Sequence, residues 1–498
     1  MNLGSFLTNA ATRAPGSLAL TTGTRQATYG ELDARVDALA AGLHGLGLVP
    51  GDRVVLWMRN CPEFIESFFA CWKLGLVAVP VNPRLRGVDV AFHAADSGAT
   101  ALIHSPGYAD AVSAVDVAHR IGTGGAGAVS YDELIAANTG AADQTRSVAD
   151  DDPAWLFYTS GTTGRPKGAV LTHANLTFVT VSWCADLNPL QPEDVVLHCA
   201  PLSHGAGFHA LAAVARGATH VLPERTDPTG ILAAIARHRV TAAWMVPTQI
   251  RMLLDSPELA AADLSSLTSV VYGGAPMYRS DLVEAIERIG PVFCQLYGQG
   301  EAPMTITYLR REEHGLDSDV LASAGIVRTG MELRIAAADD RLVSPGEPGE
   351  IQVRGPAVMA GYWQRPQESA AALRDGWLRT GDVGRLDERG YLHVLDRLKD
   401  MIITGGSNVY AREVEDVLLQ HPAVQDAAVF GIPDRVWGEA VTAVVVGPDA
   451  RATDELRRFC RDHLADYMRP KHLHVATDLP RNSYGKVLKR ELRERYVG

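Results

Sequence analysis

The chain has 498 residues and a formal net charge of −12; 47% of its residues are hydrophobic and 21% are charged. This length predicts roughly two to four domains, and this composition is typical of a folded globular protein and excludes a disordered one. The excess of negative charge argues against nucleic acid as a general partner.

The six cysteines are widely scattered and include no C-x-x-C pair. This spacing favours free thiols in a reducing compartment over a disulfide framework or a zinc site. No apolar run is long enough to span a bilayer, and the first residues lack the basic region of a signal peptide. We therefore expect a cytoplasmic protein without a transmembrane segment.

The first third of the chain alternates helical and strand patterns. Thr28-Tyr-Gly-Glu31 has the form of a capping box and predicts the start of a helix, which Gly45 and Gly47 end. Repeated strand and helix patterns predict a mostly parallel sheet covered by helices. The elements predicted next are a strand at 54–58, a helix at 65–72, and strands at 77–81 and 101–104.

The predicted pattern of secondary structure changes between successive segments of the rest of the chain. Residues 121–152 are rich in Gly, Ala and Asp and are expected to form a surface connection. The α/β pattern then resumes and continues to about residue 320. From about 325 to 395, short alternating stretches favour an antiparallel sheet or a small β-barrel. Beyond residue 400 the pattern is that of a small α+β domain.

The segment 158–168 (YTSGTTGRPKG), which follows the apolar stretch Ala154–Phe157, is the most informative part of the sequence. Its glycines, among them Gly161, let several backbone N–H groups point at one anion, and Lys167 adds a positive charge. The spacing differs from that of a P-loop NTPase, because Gly168 follows the lysine. We predict a phosphate-binding loop, with a flexible surface loop as the alternative. Further donors are the hydroxyls of Thr159, Ser160, Thr162 and Thr163.

Two later segments carry groups suited to a nucleotide and a metal ion. Gly273-Gly-Ala-Pro276 follows the predicted strand Ser269–Tyr272, and its paired glycines would let a flat ligand approach the backbone. In the segment 295–301 (QLYGQGE), Tyr297 could stack on a base, although it could equally be a core side chain. Glu301 has the oxygen chemistry that Mg²⁺ prefers.

Three further segments contain an aspartate, a lysine and a histidine of interest. Asp382 ends WLRTGD at 377–382, where it is suited to ribose hydroxyls or serves as a turn residue. Lys486 closes PRNSYGK, and the basic residues after it are typical of a solvated helix face. His204, in PLSHGAG, is alone more typical of a packed histidine than of a metal ligand, since nothing supplies further ligands.

In this order and spacing, the segments resemble the adenylate-forming superfamily of acyl-CoA synthetases, adenylation domains and beetle luciferases. The resemblance spans residues 28–490 and is closest to an acyl-CoA synthetase. It implies a reaction in which a carboxylate attacks the α-phosphate of ATP, releasing pyrophosphate, and a thiol then displaces AMP from the acyl-adenylate. The implied cofactors are ATP, Mg²⁺ and coenzyme A. An adenylating enzyme that loads a carrier protein is the alternative.

The resemblance also implies roles for individual residues. Catalytic roles fall to Lys486, His204 and Glu301, with Lys486 bridging the carboxylate and the α-phosphate. Thr159 and Glu301 would hold Mg²⁺. The phosphates would be bound by Thr159, Ser160, Gly161, Thr162, Thr163 and Lys167. The nucleoside would be bound by Gly273, Gly274, Ala275, Tyr297, Gly298, Gln299, Gly300, Asp382 and Arg397.

The same resemblance implies an α/β fold with a large N-terminal AMP-binding domain at 1–395, a hinge at 396–400 and a small mobile α+β domain at 401–498. The large domain would hold two helix-covered, mostly parallel sheets and the small β-barrel. In the family the small domain rotates between the two steps about the hinge, where Lys399 stands. Gly405 and Gly406 would then line the pantetheine path, or they form an ordinary glycine turn.

The sequence leaves the acid and the oligomeric state, monomer or homodimer, open. The segment 201–208 is uncharged apart from His204, which favours a fatty or aromatic acid over an amino acid. The residues predicted to bind the acid are Trp183, His204, Phe208 and Ala302. Gly300 stands where many members of the family have threonine, which removes a hydroxyl expected near the α-phosphate.

Overall fold

The computed structural model describes residues 1–125, 127–159, 165–187, 189–275, 277–447, 452–481 and 487–496. The chain divides into two units, Met1–Leu333 with Val353–Leu378 (unit 1) and Arg334–Gln352 with Arg379–Gly498 (unit 2). Unit 2 therefore includes more of the chain than the domain predicted at 401–498, and the hinge at 396–400 stays a prediction. In the described ranges, no helix has both the length and the apolar character needed to cross a bilayer.

Unit 1 contains a sheet that ends at the predicted phosphate loop. Its strands are in the order β7-β6-β5-β3-β4-β8-β9, and every described pair is parallel except β8 with β9. The loop therefore connects the carboxyl end of β8 to the start of the edge strand β9. The strands are β3 Arg53–Trp57, β4 Val77–Pro80, β5 Ala101–His104, β6 His119–Gly122, β7 Val129–Ser130, β8 Pro153–Thr159 and β9 Lys167–Thr172.

A second sheet of unit 1 has the order β16-β15-β14-β13-β12-β10-β11-β1-β2. The central strands from β14 to β1 are parallel, and β2, β15 and β16 add antiparallel pairs at its ends. The predicted pair of mostly parallel sheets is thus confirmed. The strands are β1 Leu18–Thr21, β2 Gln26–Thr28, β10 Val195–Leu197, β11 Thr219–Val221, β12 Ala242–Met245, β13 Ser269–Tyr272, β14 Phe293–Gln299, β15 Ala302–Leu309 and β16 Ile326–Val327.

Helices cover these sheets, and the predicted capping box is present in the second of them. Thr28 Oγ1 accepts from the Glu31 amide (3.2 Å), and Glu31 Oε2 accepts from the Thr28 amide (2.8 Å). The helices are α1 Ser5–Arg13, α2 Tyr29–Gly45, α3 Pro62–Leu74, α4 Gly87–Ser97, α5 Tyr131–Ala137, α6 His173–Ser182, α7 Gly205–Arg216, α8 Pro228–His238, α9 Pro247–Leu254, α10 Arg279–Ile289 and α11 Pro366–Ala372.

The prediction of a plain surface connection at 121–152 is wrong, because this stretch contains β7 and α5. Ser130 caps α5 by accepting from the Glu133 amide. The buried Tyr131 anchors the helix, since its hydroxyl donates to Glu66 Oε2 (2.9 Å). Two buried side chains, Tyr131 and Ile135, in a Gly- and Ala-rich stretch give too weak a periodic pattern to predict a seven-residue helix.

Unit 2 contains the predicted α+β pattern. In its largest described sheet, β24 and β25 pair antiparallel over their full lengths, β26 runs parallel to β25, and β22 pairs with β23 and β25. Each of the strands β17, β18 and β20 includes residues of both units, because the unit boundaries after residues 333, 352 and 378 fall within these strands. The elements are β17 Glu332–Ala336, β18 Gly349–Arg354, β20 Trp377–Leu386, β21 Leu392–Arg397, β22 Ile402–Thr404, β23 Ser407–Val409, α12 Ala411–Leu418, β24 Asp426–Asp434, β25 Gly438–Val446, α13 Ala452–His463, β26 His472–Ala476 and α14 Lys489–Tyr496. Strand β19 (Leu373–Arg374), which pairs with the start of β20, lies in unit 1.

His198, His209 and His220 form a group of fully buried histidines in unit 1. His198 Nε2 lies 2.9 Å from His220 Nδ1, and His209 stacks on Trp183 with ring centroids 4.5 Å apart. Among the described residues, neither ring nitrogen of His209 has a hydrogen-bond partner. Burial lowers the pKa of His209 and of His220 to about 3 and lowers the pKa of His198 as well.

These buried histidines predict that the protein loses stability in mild acid. Because their folded pKa values lie below the unfolded value of 6.5, the unfolded chain binds more protons below that pH. The free energy of unfolding should fall as pH drops from about 6.5 towards 3, by about 1.4 kcal/mol per histidine and pH unit. We expect His209→Phe to remove the contribution of one histidine, up to about 1.4 kcal/mol per pH unit, from this slope, as measured by urea unfolding between pH 7 and 5. An unchanged slope would show that these histidines do not carry the effect.

Candidate active site

The predicted site residues of unit 1 follow the carboxyl ends of parallel strands. Thr159 ends β8, Gly273 follows β13, and Tyr297 lies near the end of β14. His204 comes after β10, where it precedes the first residue of α7. Ligands of open α/β sheets bind at this edge because loops and helix N-termini converge there.

Glu301 is the centre of the phosphate side of the site. Its Oε1 accepts two hydrogen bonds, from Thr159 Oγ1 (3.0 Å) and from Tyr362 Oη (2.8 Å). Lys167 Nζ lies 5.3 Å from the centre of the Tyr362 ring. The structure therefore brings together three predicted residues, Thr159, Lys167 and Glu301, around a tyrosine that the sequence analysis did not identify.

The chemistry of this group fits Mg²⁺. Glu301 Oε2 has no hydrogen-bond partner among the described residues, and the Thr159 hydroxyl is a second hard oxygen beside it. Mg²⁺ is commonly bound by one or two protein oxygens, the remaining ligands being water and phosphate oxygens. The predicted metal ligands are thus adjacent, and their role stays a prediction.

Gly300 occupies a position without room for a side chain. It lies in the tight turn between β14 and β15, where Gln299 pairs with Ala302. A Cβ atom at Gly300 would overlap the methyl group of Thr159 and come within 2.6 Å of the Phe157 ring. The end of β8 packs directly on this turn, so the glycine is required by the packing around Glu301.

The predicted adenine segment lies between two neighbouring strand ends. Gly273 is buried, whereas Gly274 and Ala275 are exposed. Gly274 has a φ of +79°, in the left-handed region that favours glycine. Tyr297 is half-buried, and Gly298 follows it on β14. An exposed backbone turn near a partly exposed phenol ring is compatible with a flat ligand.

Aromatic rings surround the first turn of α7. Phe157 contacts the His204 ring edge-to-face (5.5 Å, 78°) and stacks on Phe208 (5.7 Å, 27°). A Cβ atom on Gly205 would lie 2.5 Å from Cη2 of Trp244, so the indole lies directly against the helix backbone. Desolvation lowers the pKa of His204 to about 4, which makes its ring neutral at pH 7.

The other two residues predicted to bind the acid have different surroundings. Trp183 stacks on His209, in the group of buried histidines, and no described ring contact joins it to Phe208. Ala302 is fully buried at the start of β15, next to Glu301. Of the four predicted acid-binding residues, His204 and Phe208 are thus linked through Phe157, which the sequence analysis did not include.

Unit 2 contains the predicted ribose-binding pair. Asp382 on β20 faces Arg397 on β21, and Arg397 Nε lies 2.8 Å from Asp382 Oδ1. The aspartate is buried, whereas 42% of the arginine side chain is exposed. This ion pair holds the carboxylate at a defined position. Lys399 is exposed just after β21.

Gly405 and Gly406 form the two-residue turn of the β22–β23 hairpin. Their φ angles are +58° and +80°, as hairpin turns of this length require. The Gly405 amide donates to the Trp437 carbonyl (2.8 Å). This turn is the alternative that the sequence left open, and the pantetheine role stays a prediction. Outside the described residues lie Ser160, Gly161, Thr162, Thr163 and Lys486.

Sequence reasoning missed Tyr362, Phe157 and Trp244. Tyr362 stands in Gly361-Tyr-Trp363, a stretch with no charge or periodic pattern to indicate a site. Phe157 ends the predicted apolar stretch Ala154–Phe157, and Trp244 lies in β12, a strand for which no prediction was made. Only their positions near strand ends distinguish them from core residues. All three residues are identified by their contacts with site residues that are distant in the sequence, and local sequence patterns do not reveal such contacts.

Comparison with known proteins agrees with this arrangement. Residues 7–363 match the family model of AMP-binding enzymes, and residues 413–486 match that of the AMP-binding enzyme C-terminal domain. A feruloyl-CoA synthase of an Amycolatopsis species is 42% identical, with 99% of each chain covered. A medium/long-chain-fatty-acid–CoA ligase of Mycobacterium tuberculosis is 36% identical, with 99% of this chain and 90% of the relative covered.

The fold is also that of solved enzymes of this kind. The structure of an amide bond synthetase from Marinactinospora thermotolerans is similar with a TM-score of 0.90 and 32% identity, covering 99% of this chain and 100% of that one. The resemblance inferred from the sequence motifs is confirmed by these matches. The chain therefore belongs to the AMP-binding enzyme family, within the adenylate-forming superfamily, and is an AMP-forming acyl-CoA ligase.

Proposed function

We propose that the acid activated by this ligase is a flat aryl acid with a polar ring substituent, bound beside His204 by Phe157, Phe208 and Trp244. The enzyme uses ATP and coenzyme A, as its family does. The observation that carries the proposal is the set of aromatic rings around the first turn of α7.

The ring geometry favours a planar ligand. Phe157 is half-buried and presents its ring between His204 and Phe208, while Phe208 stacks on Trp155 (4.6 Å, 20°). A rigid stack of this kind offers an aromatic ligand offset or edge contacts, which contribute about 0.5–1.5 kcal/mol beyond area burial. A flexible alkyl chain gains no such term and loses rotamer entropy on binding.

Trp244 supplies both a boundary and a hydrogen-bond donor. Its indole packs against Gly205, and only 6% of the residue is exposed. Its Nε1 is buried without a hydrogen-bond partner among the described residues. A hydroxyl or methoxy oxygen on the substrate ring would satisfy this donor, and a buried donor left unpaired costs about 1–3 kcal/mol.

Charge and similarity support the same acid class. No acidic residue occurs in segment 201–208, so an ammonium group of an amino acid would have no partner there. The feruloyl-CoA synthase is more similar to this chain than the fatty-acid ligase, at 42% against 36% identity. The absence of an acidic residue disfavours an amino acid, and the identities favour an aryl acid over a fatty acid.

The nucleotide would be handled by the residues described above. Glu301 and Thr159 would hold Mg²⁺, which neutralises charge on the departing pyrophosphate, and Lys167 would bind the phosphates. The Asp382 carboxylate, held by Arg397, would accept from the ribose hydroxyls. Neutral His204 can donate one hydrogen bond to the carboxylate without adding charge. Lys486 keeps its predicted role at the α-phosphate.

A panel of acids tests the proposal. Hydroxylated and methoxylated cinnamates and benzoates, their unsubstituted analogues, and fatty acids from hexanoate to palmitate are compared by coenzyme A-dependent AMP release. We expect kcat/KM for the best substituted aryl acid to exceed that of every fatty acid by at least about tenfold, equivalent to 1.4 kcal/mol. A fatty acid at the top of the panel would refute the proposal.

A Trp244 variant distinguishes the boundary from the donor. Trp244→Phe keeps a ring against Gly205 but removes the N–H, so the preference for substituted over unsubstituted aryl acids should shrink. Trp244→Ala should in addition admit bulkier acids.

The acceptor is checked in the same assay with a carrier protein in place of coenzyme A, since a thioester formed only on the carrier would favour the alternative function.

A further inference from the structure

We propose that Tyr362 is a positioning residue for the adenylation step: its hydroxyl orients Glu301 and its ring holds Lys167, so that both are placed before the nucleotide binds. The proposal rests on the metal and phosphate roles given to Glu301 and Lys167 under the proposed function. It does not depend on which acid is activated.

The backbone around Tyr362 is fixed to the edge strand that carries Lys167. Residues 360–363, here called the edge segment, pair antiparallel with β9, where Ala169 faces Tyr362. The Val170 amide donates to the Gly361 carbonyl (2.9 Å), and the Trp363 amide donates to the Gly168 carbonyl (2.8 Å). Tyr362 thus has a defined position relative to Lys167, which begins the same strand.

A second set of contacts ties this region to the turn that carries Glu301. The Met359 amide, one residue before the edge segment, donates to the Glu301 carbonyl (2.8 Å). The Tyr362 hydroxyl and the Thr159 hydroxyl both donate to Glu301 Oε1. Two donors on one oxygen fix the plane of the carboxylate and direct Oε2, which has no partner among the described residues, to one place.

The ring of Tyr362 acts on the second charged group. Lys167 Nζ lies 5.3 Å from the ring centre, within the range of a cation–π contact. Lysine is long and rotamer-rich, so a fixed aromatic face reduces the number of positions that the ammonium group samples. One side chain therefore positions an anionic metal ligand through its hydroxyl and a cationic phosphate ligand through its ring.

The contacts beyond the edge segment extend to the other side of the loop. Arg365 forms an ion pair with Asp96, and the same carboxylate accepts from the Tyr158 hydroxyl (2.9 Å). Tyr158 precedes the loop and Lys167 follows it. The described residues on both sides of the predicted phosphate loop are thus connected to the chain around Tyr362.

Tyr362→Phe removes the hydroxyl that donates to Glu301 but keeps the aromatic ring beside Lys167 and the backbone pairing with β9. We expect the Mg²⁺ concentration for half-maximal ATP–pyrophosphate exchange to rise about tenfold, because removing a partner that orients a metal ligand weakens metal binding by about 10–100-fold. At saturating Mg²⁺, kcat should fall less than about threefold. Thioester formation from a supplied acyl-adenylate should be unchanged, since that step releases no pyrophosphate.

A direct binding measurement accompanies the kinetics. Mn²⁺ is titrated in the presence of α,β-methylene-ATP and followed by electron paramagnetic resonance, which needs no acid substrate. We expect Tyr362→Phe to weaken Mn²⁺ binding by the same factor as the kinetic Mg²⁺ requirement. Because no acid is present, a failure of the aryl-acid proposal leaves this result unaffected.

Tyr108→Phe is the matched control. It also removes a hydroxyl with a short hydrogen bond, to the Pro83 carbonyl (2.7 Å), but that hydroxyl does not contact Glu301. Its Mg²⁺ and Mn²⁺ curves should match those of the unchanged protein. Wild-type curves for Tyr362→Phe would overturn the proposal. An equal loss in both half-reactions with a lowered Tm would also overturn it, because that pattern indicates a purely structural role.

Discussion

Glu301→Gln should lower the rate of adenylation roughly 1,000-fold at a fixed, moderate Mg²⁺ concentration. The substitution keeps the shape of the side chain but removes the negative charge that is adjacent to the Thr159 hydroxyl. A charge pair at about 4 Å contributes roughly 4 kcal/mol at an effective dielectric near 20, and each 1.4 kcal/mol corresponds to a factor of ten. ATP–pyrophosphate exchange measures the first half-reaction directly.

The second half-reaction is the internal control for Glu301→Gln. A supplied acyl-adenylate should still be converted to the thioester at a rate within about threefold of the unchanged enzyme, since pyrophosphate has already left. Excess Mg²⁺ should restore part of the exchange activity. If both half-reactions fell equally, or if exchange stayed normal, Glu301 would not be the metal ligand.

Gly300→Thr should reduce adenylation by about 10–100-fold, although the resemblance to the family leads us to expect a threonine at this position. The new side chain would displace the Thr159 methyl group and the Phe157 ring, and such overpacking costs about 1–3 kcal/mol. Moving Thr159 breaks its hydrogen bond to Glu301. The packing of Thr159 and Phe157 therefore requires a glycine at position 300. Introducing a threonine hydroxyl there by a single substitution should not increase activity.

Two further variants test this explanation. Gly300→Ala adds only a methyl group and should show a smaller loss in the same direction. Gly315→Ala is the control, because a Cβ atom at that exposed glycine meets nothing within 4 Å. Pyrophosphate exchange and Tm are measured for each variant. A gain of activity in Gly300→Thr would contradict the packing argument and support the missing-hydroxyl interpretation.

The sequence predicts the α/β framework well, because strong local signals decide it. Thr28 and Glu31 form the expected capping box, and the apolar run Ser269–Tyr272 coincides with β13. The helix α5 was missed because it buries only Tyr131 and Ile135, and the Tyr131 hydroxyl is held by a distant partner, Glu66. Local patterns contain the information for the first two elements and lack it for the third.

The candidate site divides in the same way. Thr159, Lys167 and Glu301 stand in segments whose composition already indicates phosphate and metal chemistry, and the structure places them together. Tyr362 lies 61 residues from Glu301 in the chain, and no pattern in the sequence around Tyr362 predicts the contact between them. Trp244 was likewise indistinguishable from a core tryptophan until its packing on Gly205 was known. Short segments of sequence reveal which residues have the chemistry for a site. Which other residues hold them in position becomes known only from the folded chain.

The edge segment also affects the solubility of the folded protein. β9 is the last strand of its sheet, and an uncovered edge would present unpaired N–H and C=O groups to other molecules. Residues 360–363 occupy that edge by pairing with Gly168 and Val170. At the opposite edge, β7 is only two residues long, which limits pairing there. The contacts that place Tyr362 therefore also protect the sheet from intermolecular association and aggregation.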